Sequence, residues 1–423
     1  MSTNKVSEKV IAVGVVLPDQ TRRVAEEHLD ELEKLIETAG GVVVAKVLAK
    51  RDAPDAATWI GSGKAEEIGR LAGNQRATLV VFDDDLSPAQ TRNLEKIIGG
   101  KVIDRSALIL DIFAGRARSR EARTQVELAQ LEYMLPRLTR QWSHLERQAG
   151  GIGTRGVGET QLEIDRRIVR NRISQLKSEL QKIERTRQTQ RKARGAAFTV
   201  ALVGYTNAGK STLFNRLTGG SAWAVDKLFA TLDAKSQRMS FPMPRATVVI
   251  DTVGFVRKLP HHLVASFRST MEEAVSADLV LHVIDSTHEE QREVGSEVLR
   301  NLGIPEERVI EVYNKRDVME DSRPRLSGQR RAAVLHISAL TGDGIDQLVD
   351  IIRERELAGG EVVDLEIPHD ESRALAKLHE VAEVYAQRPA DRATHITAWI
   401  PKTALHQFAH FSLSNFRKRA KVG

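Results

Sequence analysis

The chain has 423 residues, and at roughly 100–200 residues per domain that length implies several domains, each able to bury its own core. Apolar residues make up 41% and charged residues 28%, which excludes a wholly disordered chain, and the absence of cysteine excludes disulfides, thiolate zinc sites, Cys-ligated clusters and a cysteine nucleophile. The net charge is +6, from 63 Lys+Arg against 57 Asp+Glu, so the distribution of charge matters more than its sum.

The first apolar run, Val10–Leu17, stops at Pro18-Asp19. It is too short to span a bilayer and lacks a signal-peptide cleavage signature, so it reads as a buried strand and the chain as cytoplasmic. Further strand patterns are Val42–Leu48, Leu79–Phe82 and Val102–Ile103, with helical spacing over Glu26–Glu37, Lys64–Leu71 and Pro88–Ile98. This alternation predicts a small α/β domain around a mostly parallel sheet, over residues 1–115. Residues 116–195 carry no strand pattern. One helix there presents Val126, Leu128, Leu131, Met134 and Leu138, then comes the glycine-rich stretch Gly150–Glu163, then a helix with Val169, Ile173, Leu176, Leu180 and Ile183 at heptad-like steps. A helical hairpin with a glycine-rich loop is expected.

Strand and helix patterns alternate again over residues 196–356, with strands at Phe198–Val203, Ala246–Ile250, Leu279–Ile284, Val309–Tyr313 and Val334–Ile337. The last segment, 357–423, predicts a strand (Val362–Ile367), a helix (Ser372–Tyr385), a strand (Ile396–Ile400) and a basic tail containing Arg417, Lys418, Arg419 and Lys421. The whole reads as a multidomain α/β protein: an N-terminal α/β domain with a helical hairpin, a second domain of alternating strands and helices, and a small C-terminal α+β segment.

The chemistry concentrates in the third region. Gly204, Tyr205, Thr206, Asn207, Ala208, Gly209, Lys210 and Ser211 fit G-x-x-x-x-G-K-[ST], followed by Thr212. The match lies between a strand pattern and a helix pattern, the context the motif requires. The glycines let backbone N–H groups face phosphate oxygens, and the helix N-terminus adds positive potential. Lys210 is assigned to the β/γ-phosphates and Ser211 to Mg²⁺. Asn314-Lys315-Arg316-Asp317 fits N-K-x-D at the end of a strand. A carboxylate at Asp317 accepts from both N1–H and N2–H₂ of guanine, and adenine offers no such pair of donors. Asp251, Thr252, Val253 and Gly254 fit D-x-x-G, with Asp251 on Mg²⁺ through water and the Gly254 N–H sensing the γ-phosphate. Phe229, Ala230, Thr231, Leu232 and Asp233 form the candidate first switch, Thr231 supplying a second hydroxyl to Mg²⁺. Ser338, Ala339 and Leu340 offer backbone N–H to guanine O6. Lys210, Thr231 and Gly254 are the expected catalytic groups, and Ser211, Thr231 and Asp251 the expected metal ligands. The five elements stand in the order of GTP-hydrolysing P-loop switches. Phe255 stands where many such proteins carry a water-orienting Gln, which predicts slow intrinsic hydrolysis. Asn207 is a candidate for holding K⁺ near the bridging oxygens.

With these motifs placed, the chain resembles the HflX family of ribosome-associated GTPases. The resemblance runs from about residue 8 to 350 and rests also on FDDDLSPAQTRNLE (82–95), VIDRSALILDIFAGRA (102–117), QVELAQLEYMLPRL (125–138) and RGVGETQLEIDRR (155–167). One departure is Val157, where Pro is expected. The resemblance implies a Ras-like P-loop G domain over residues 196–356, binding to the large (50S) ribosomal subunit and its rRNA, and splitting or rescue of stalled ribosomes under stress. Independently, eleven Lys/Arg and only two Glu between Arg166 and Arg194 favour an RNA phosphate backbone, without the aromatic side chains that stack single-stranded bases. The chain is read as a monomer. Two other readings are an ATP-driven RNA-remodelling enzyme using the N-terminal domain and a regulatory switch for a protein partner.

Weaker patterns are set aside. Gly151-x-Gly153-x-x-Gly156 follows a helix rather than a strand, so it is no dinucleotide fingerprint. Gly61-Ser62-Gly63-Lys64 reads as a glycine turn before a helix, and Asp83-Asp84-Asp85 as a polar loop before the cap Ser87-Pro88. His261-His262 has no third ligand nearby, and His379-Glu380 does not complete a zinc-protease motif.

Overall fold

The computed structural model describes residues 7–138, 161–193, 197–220, 228–229, 231–243, 246–258, 268–288, 290–318 and 334–413. The glycine-rich loop with Val157, Ala230, His261-His262 and the basic tail lie outside the described residues. The chain forms two compact units. The first comprises residues 1–183 with 225–233 and 256–269, and the second comprises 184–224, 234–255 and 270–423.

The first unit is built on four parallel strands, β1 (Lys9–Val16), β2 (Val42–Lys50), β3 (Leu79–Phe82) and β4 (Lys101–Asp104), in the order β2-β1-β3-β4. Parallel neighbours need crossover helices, and α1 (Arg22–Ala39), α2 (Ser62–Gln75) and α3 (Pro88–Ile98) supply them. Their limits are set locally. Thr21 Oγ1 accepts from the Val24 N–H and Gly40 ends α1 at φ +95. Ser87 and Gln90 close a reciprocal capping box on α3, with Pro88 in its first turn. Ile11, Val13, Val80, Phe82, Ile68 and Leu94 form the core against which α2 and α3 lie. Each such side chain contributes about 1.5–3 kcal/mol by leaving water. Residues 61–64 form the expected turn, with Gly61 at φ +85 and Lys64 paired to Glu67 at 2.7 Å.

α4 (Arg105–Arg116) follows β4 directly and packs against α1. α5 (Arg120–Met134) and the 33-residue α6 (Gln161–Ala193) are the two arms of the expected hairpin. Val169, Ile173, Leu180 and Ile183 are half-buried and Leu176 is buried, so the heptad-like seam is the helix's inner face. Ion pairs join the arms, Arg172 to Glu127 at 2.7 Å and Lys177 to Glu132 at 2.8 Å.

The second unit carries a six-stranded sheet of order β10-β9-β8-β5-β7-β6. Its strands are β5 (Phe198–Gly204), β6 (Lys235–Arg238), β7 (Thr247–Asp251), β8 (Leu279–Asp285), β9 (Val309–Asn314) and β10 (Val334–His336). Only β6 runs antiparallel. Its Lys-Ser-Gln-Arg sequence has no apolar residue, so no hydrophobic pattern announced it, and its charges suit an exposed edge. The helices are α7 (Lys210–Thr218), α8 (Arg268–Ser276), α9 (Glu290–Asn301) and α10 (Ile345–Ala358).

α10 leads into a three-stranded antiparallel sheet of order β11-β13-β12, formed by β11 (Gly360–Pro368), β12 (Glu383–Pro389) and β13 (Ala393–Pro401) with α11 (Ser372–Val381) and α12 (Lys402–Phe408). This corrects one expectation. The helix expected over Ser372–Tyr385 stops at Val381, because residues 383–389 pair with β13, Glu383 opposite Trp399 and Pro389 opposite Thr394. A ladder partner outweighs local helical spacing where Val384 and Tyr385 favour strand.

Candidate functional site

The site grows from the carboxyl edge of the six-stranded sheet. β5 is buried throughout all but one of its residues and ends at Gly204. A Cβ there would lie 2.1 Å from the Val283 carbonyl oxygen, so only glycine permits β5 and β8 to pass this closely. The chain then bends through Asn207 (φ +65) and Gly209 (φ +92) into α7. A Cβ on Gly209 would sit 2.1 Å from Asn314 Nδ2. Both motif glycines thus answer a close approach, Gly204 that of a backbone carbonyl and Gly209 that of a side-chain amide.

Lys210 is buried and its ammonium donates to the carbonyls of Gly204 and Tyr205 at 3.0 and 2.7 Å. Burial pushes its pKa down to about 8, with Asp251 opposing. The Ser211 hydroxyl donates to Asp251 Oδ2 at 2.8 Å, which joins the first turn of α7 to the end of β7. Thr252 turns its hydroxyl to the Leu202 carbonyl at 2.7 Å. Gly254 packs so tightly that a Cβ would lie 2.8 Å from both Lys210 Nζ and Thr206 Cα. Phe255 donates its N–H to Gly204 O at 2.9 Å and accepts from the Thr206 N–H at 2.7 Å, while its ring is buried in the core. The position after Gly254 is therefore a packing position, not one facing a water.

The third corner lies at the ends of β9 and β10. Asn314 donates to the Ala208 carbonyl at 2.9 Å and accepts from the Ala339 N–H at 2.9 Å, tying the phosphate loop to the 338–340 turn. Ser338 Oγ donates to Asp317 Oδ1 at 2.5 Å, and the Ser338 N–H donates to Asp343 O. Lys315, at φ +68, pairs with Asp285 at 2.7 Å. Burial would raise the Asp285 pKa, but the bonds from Lys315 and Thr287 outweigh it and hold the carboxylate below its usual range. Asp285 and Arg216, whose Nε donates to Ala339 O at 3.3 Å, are supporting residues that the motifs did not name. Asp285 ends a buried strand on the same sheet edge, which was its only signal.

Residues 204–212, 251–254, 314–317 and 338–340 thus converge within the second unit. Phe229, Thr231, Leu232 and Asp233 belong to the first unit. Thr231 is buried there, and the Asp233 carboxylate accepts from the N–H groups of Arg118 and Ser119 at 3.2 and 3.1 Å.

A strand, glycine loop and helix, with D-x-x-G and N-K-x-D at the ends of two further strands of the same sheet, define a GTP-binding and GTP-hydrolysing P-loop protein. Comparison with known proteins agrees: residues 199–315 match the family described as 50S ribosome-binding GTPase, residues 26–114 the GTP-binding GTPase N-terminal family and residues 116–194 the GTP-binding GTPase middle region. The chain is 43% identical to GTPase HflX of Caldanaerobacter subterraneus subsp. tengcongensis, over 96% of this chain and 94% of that one. It is 46% identical to GTPase HflX of Escherichia coli, over 85% and 86%. It belongs to the HflX family of GTPases. Among solved structures, the GDP complex of SsGBP aligns at 27% identity and TM-score 0.47, over 82% of this chain and 98% of that one. Among the described residues no helix is long and apolar enough to cross a membrane.

Proposed function

We propose that the chain is a nucleotide-switched factor that binds the large ribosomal subunit and splits or rescues stalled ribosomes, acting in the cytoplasm as a monomer. The observation that carries this is the match of residues 199–315 to the family described as 50S ribosome-binding GTPase. The basic α6 supports it, since its sequence from Arg166 to Lys192 holds ten Lys/Arg and two Glu. Such a face follows the phosphates of structured RNA.

In this reading Lys210 leaves the loop carbonyls for the β/γ-phosphates, and the N–H groups of residues 207–212 surround them. Ser211 and Asp251 present adjoining oxygens, a hard donor set suited to Mg²⁺, with Thr231 as the third ligand. Bound Mg²⁺ would neutralise charge on the β- and γ-phosphate oxygens. The Gly254 N–H senses the γ-phosphate, and Asp317 takes the guanine N1–H and N2–H₂. Ser338 and Ala339 have already committed their N–H groups, so Leu340, 71% exposed, supplies the one for O6. Because the Phe255 ring is buried in the core, hydrolysis depends on help from elsewhere. Asn207, exposed on the loop at φ +65, is placed by this reading on a K⁺ ion.

Co-sedimentation with 30S, 50S and 70S particles, under GDP and a non-hydrolysable GTP analogue at two salt concentrations, tests the proposal. GTP-dependent, salt-sensitive association with 50S and loss of 70S is the expected result. Absence of association in every state removes the ribosome from the reading. Equal turnover in KCl and NaCl removes K⁺.

A further inference from the structure

Two stretches from the middle of the sequence, 228–233 and 256–258, belong to the N-terminal unit. The first carries Thr231 and the second begins two residues after Gly254. Arg257 donates from Nε and Nη2 to Glu31 Oε2 of α1, at 3.2 and 3.0 Å. Lys258, bent at φ +50, donates to Asp83 Oδ2 at 2.9 Å and to Asp84 Oδ1 at 2.5 Å, just past the end of β3. Arg105 is 1% exposed and pairs with both Glu31 and Asp83. Three cations thus meet three carboxylates, the balance a largely buried ionic cluster needs. The strand order makes the β1/β3 boundary the switch point of this sheet, where open parallel sheets receive ligands. Asp83 follows β3 there, and a lysine of the same chain is the group it receives. A second anchor holds the other stretch: Asp233 takes the Arg118 and Ser119 N–H groups, and Phe229 meets Phe113 edge-on at 4.6 Å.

We propose that Glu31, Asp83 and Asp84 are positioning residues for the γ-phosphate-sensing segment, and that their hold on Arg257 and Lys258 preorganises the chain after Gly254 for the GTP state. This rests on the reading of Gly254 given above. The physical argument is short. Phe255 is fixed to the phosphate loop by two backbone hydrogen bonds, and Arg257 is fixed to Glu31. Only Val256 separates the two anchors. The ordering cost of this stretch is therefore met in the fold instead of on GTP binding. GDP has no γ-phosphate for Gly254 to meet, so the same hold gives GDP no advantage. The acidic run Asp83-Asp84 is then more than a bare polar loop: it receives Lys258, which follows D-x-x-G, while Glu31 receives Arg257.

The test uses the full chain and measures Kd for fluorescent GDP and for a fluorescent non-hydrolysable GTP analogue. In the double variant Arg257→Ala/Lys258→Ala, Glu31 and Asp83 keep Arg105, and a thermal melt reports that the variant is folded. Lys258→Gln, which leaves Arg257 on Glu31, is the milder companion. The double variant should bind the GTP analogue about 5- to 20-fold more weakly, with GDP within about twofold of wild type. Lys258→Arg, which keeps a cation facing Asp83 and Asp84, should bind both nucleotides as wild type does. Equal weakening of both nucleotides, no change in either, or tighter binding of the GTP analogue would overturn the proposal. Gly254→Ala separates the two layers of the argument. If it leaves wild-type discrimination between the nucleotides intact, the reading of Gly254 fails and the inference fails with it. If it abolishes discrimination while the Arg257/Lys258 variants keep it, the positioning role alone fails.

Discussion

The phosphate loop and the two sensing stretches solve the same problem, holding irregular backbone still, by different means. Residues 204–210 are held by backbone: glycines at close approaches, carbonyls receiving Lys210, and a bridge to Phe255. Residues 228–233 and 256–258 are held by side chains reaching residues more than 100 positions away, as in Arg257 to Glu31 and Asp233 to Ser119. Backbone restraint is rigid and gives a site with one geometry. Side-chain restraint is exchangeable, because each ionic bond can be given up for another partner or for water. A switch needs both kinds, a fixed cradle and a segment whose hold can change.

The largest effects should come from breaking the backbone-held part. Gly209→Val places a side chain on a φ of +92 and against Asn314 Nδ2, so nucleotide binding should be lost altogether in a fluorescence titration. Lys210→Ala removes the cation of the cradle and should lower single-turnover GTP hydrolysis by about 10²–10³-fold, the scale of losing a preorganised electrostatic contact. Asp317→Asn should weaken GTP by on the order of 10²-fold or more, since a guanine N–H is left facing a donor. Xanthosine triphosphate, which accepts there instead, should regain affinity. Unchanged GTP affinity in Asp317→Asn would remove Asp317 from the base site.

The same contrast explains what was legible in the sequence. Strand ends, glycines and the N-K-x-D residues could be read because their constraints are local: a glycine needed where Gly204 passes Val283 is next to the strand that needs it. The alternation of apolar runs located eleven of the thirteen strands among the described residues and missed polar β6 outright. The start of β12, Glu383 to Tyr385, reads as helix because its partner β13 lies beyond the window that a periodicity inspects. Asp83 and Asp84 could be seen as acidic but not as the seat of Lys258, and no local pattern links positions 31 and 257.

Intermediate effects probe the packing beneath the cradle. His282 on β8 is 1% exposed, and a Cβ on Gly295 of α9 would lie 2.1 Å from its Nε2. Gly295→Ala should therefore cost about 1–3 kcal/mol through overpacking, seen as a lowered Tm. Burial, with Arg292 and Lys210 nearby, pushes the His282 pKa down to about 4 from 6.5. Its folded value lies below its unfolded value, so between pH 6.5 and 4 the unfolded chain binds the extra proton. Stability due to this group is present above pH 6.5 and is lost as pH falls, at up to about 1.4 kcal/mol per unit. His282→Asn should flatten that part of the acid limb of a Tm-against-pH curve. An unchanged limb would assign the acid sensitivity to other groups.

The smallest effect sharpens the comparison most, because it sets one ion pair against another. Arg257 and Glu31 have side chains 24% and 10% exposed, whereas Arg172 and Glu127, joining α5 to α6, are both 43% exposed. An exposed pair is screened and contributes little to stability. Arg172→Ala should leave Tm within the scatter of replicate melts. Its effect should appear in RNA binding, and even there be modest. Two nitrogens of the Arg172 fork already face Glu127, at 2.7 and 3.0 Å, so little of its charge is available to a phosphate. Arg170, exposed on the same helix two residues earlier, makes no such pair among the described residues. If α6 lies along an RNA backbone, Arg170→Ala should reduce the slope of log K against log salt by roughly one unit, and Arg172→Ala by clearly less. Equal slopes for the two variants would mean that Glu127 releases Arg172 on binding, which would make the α5–α6 pairs contacts that the protein exchanges, unlike the hold on Arg257 that preorganises the sensing segment.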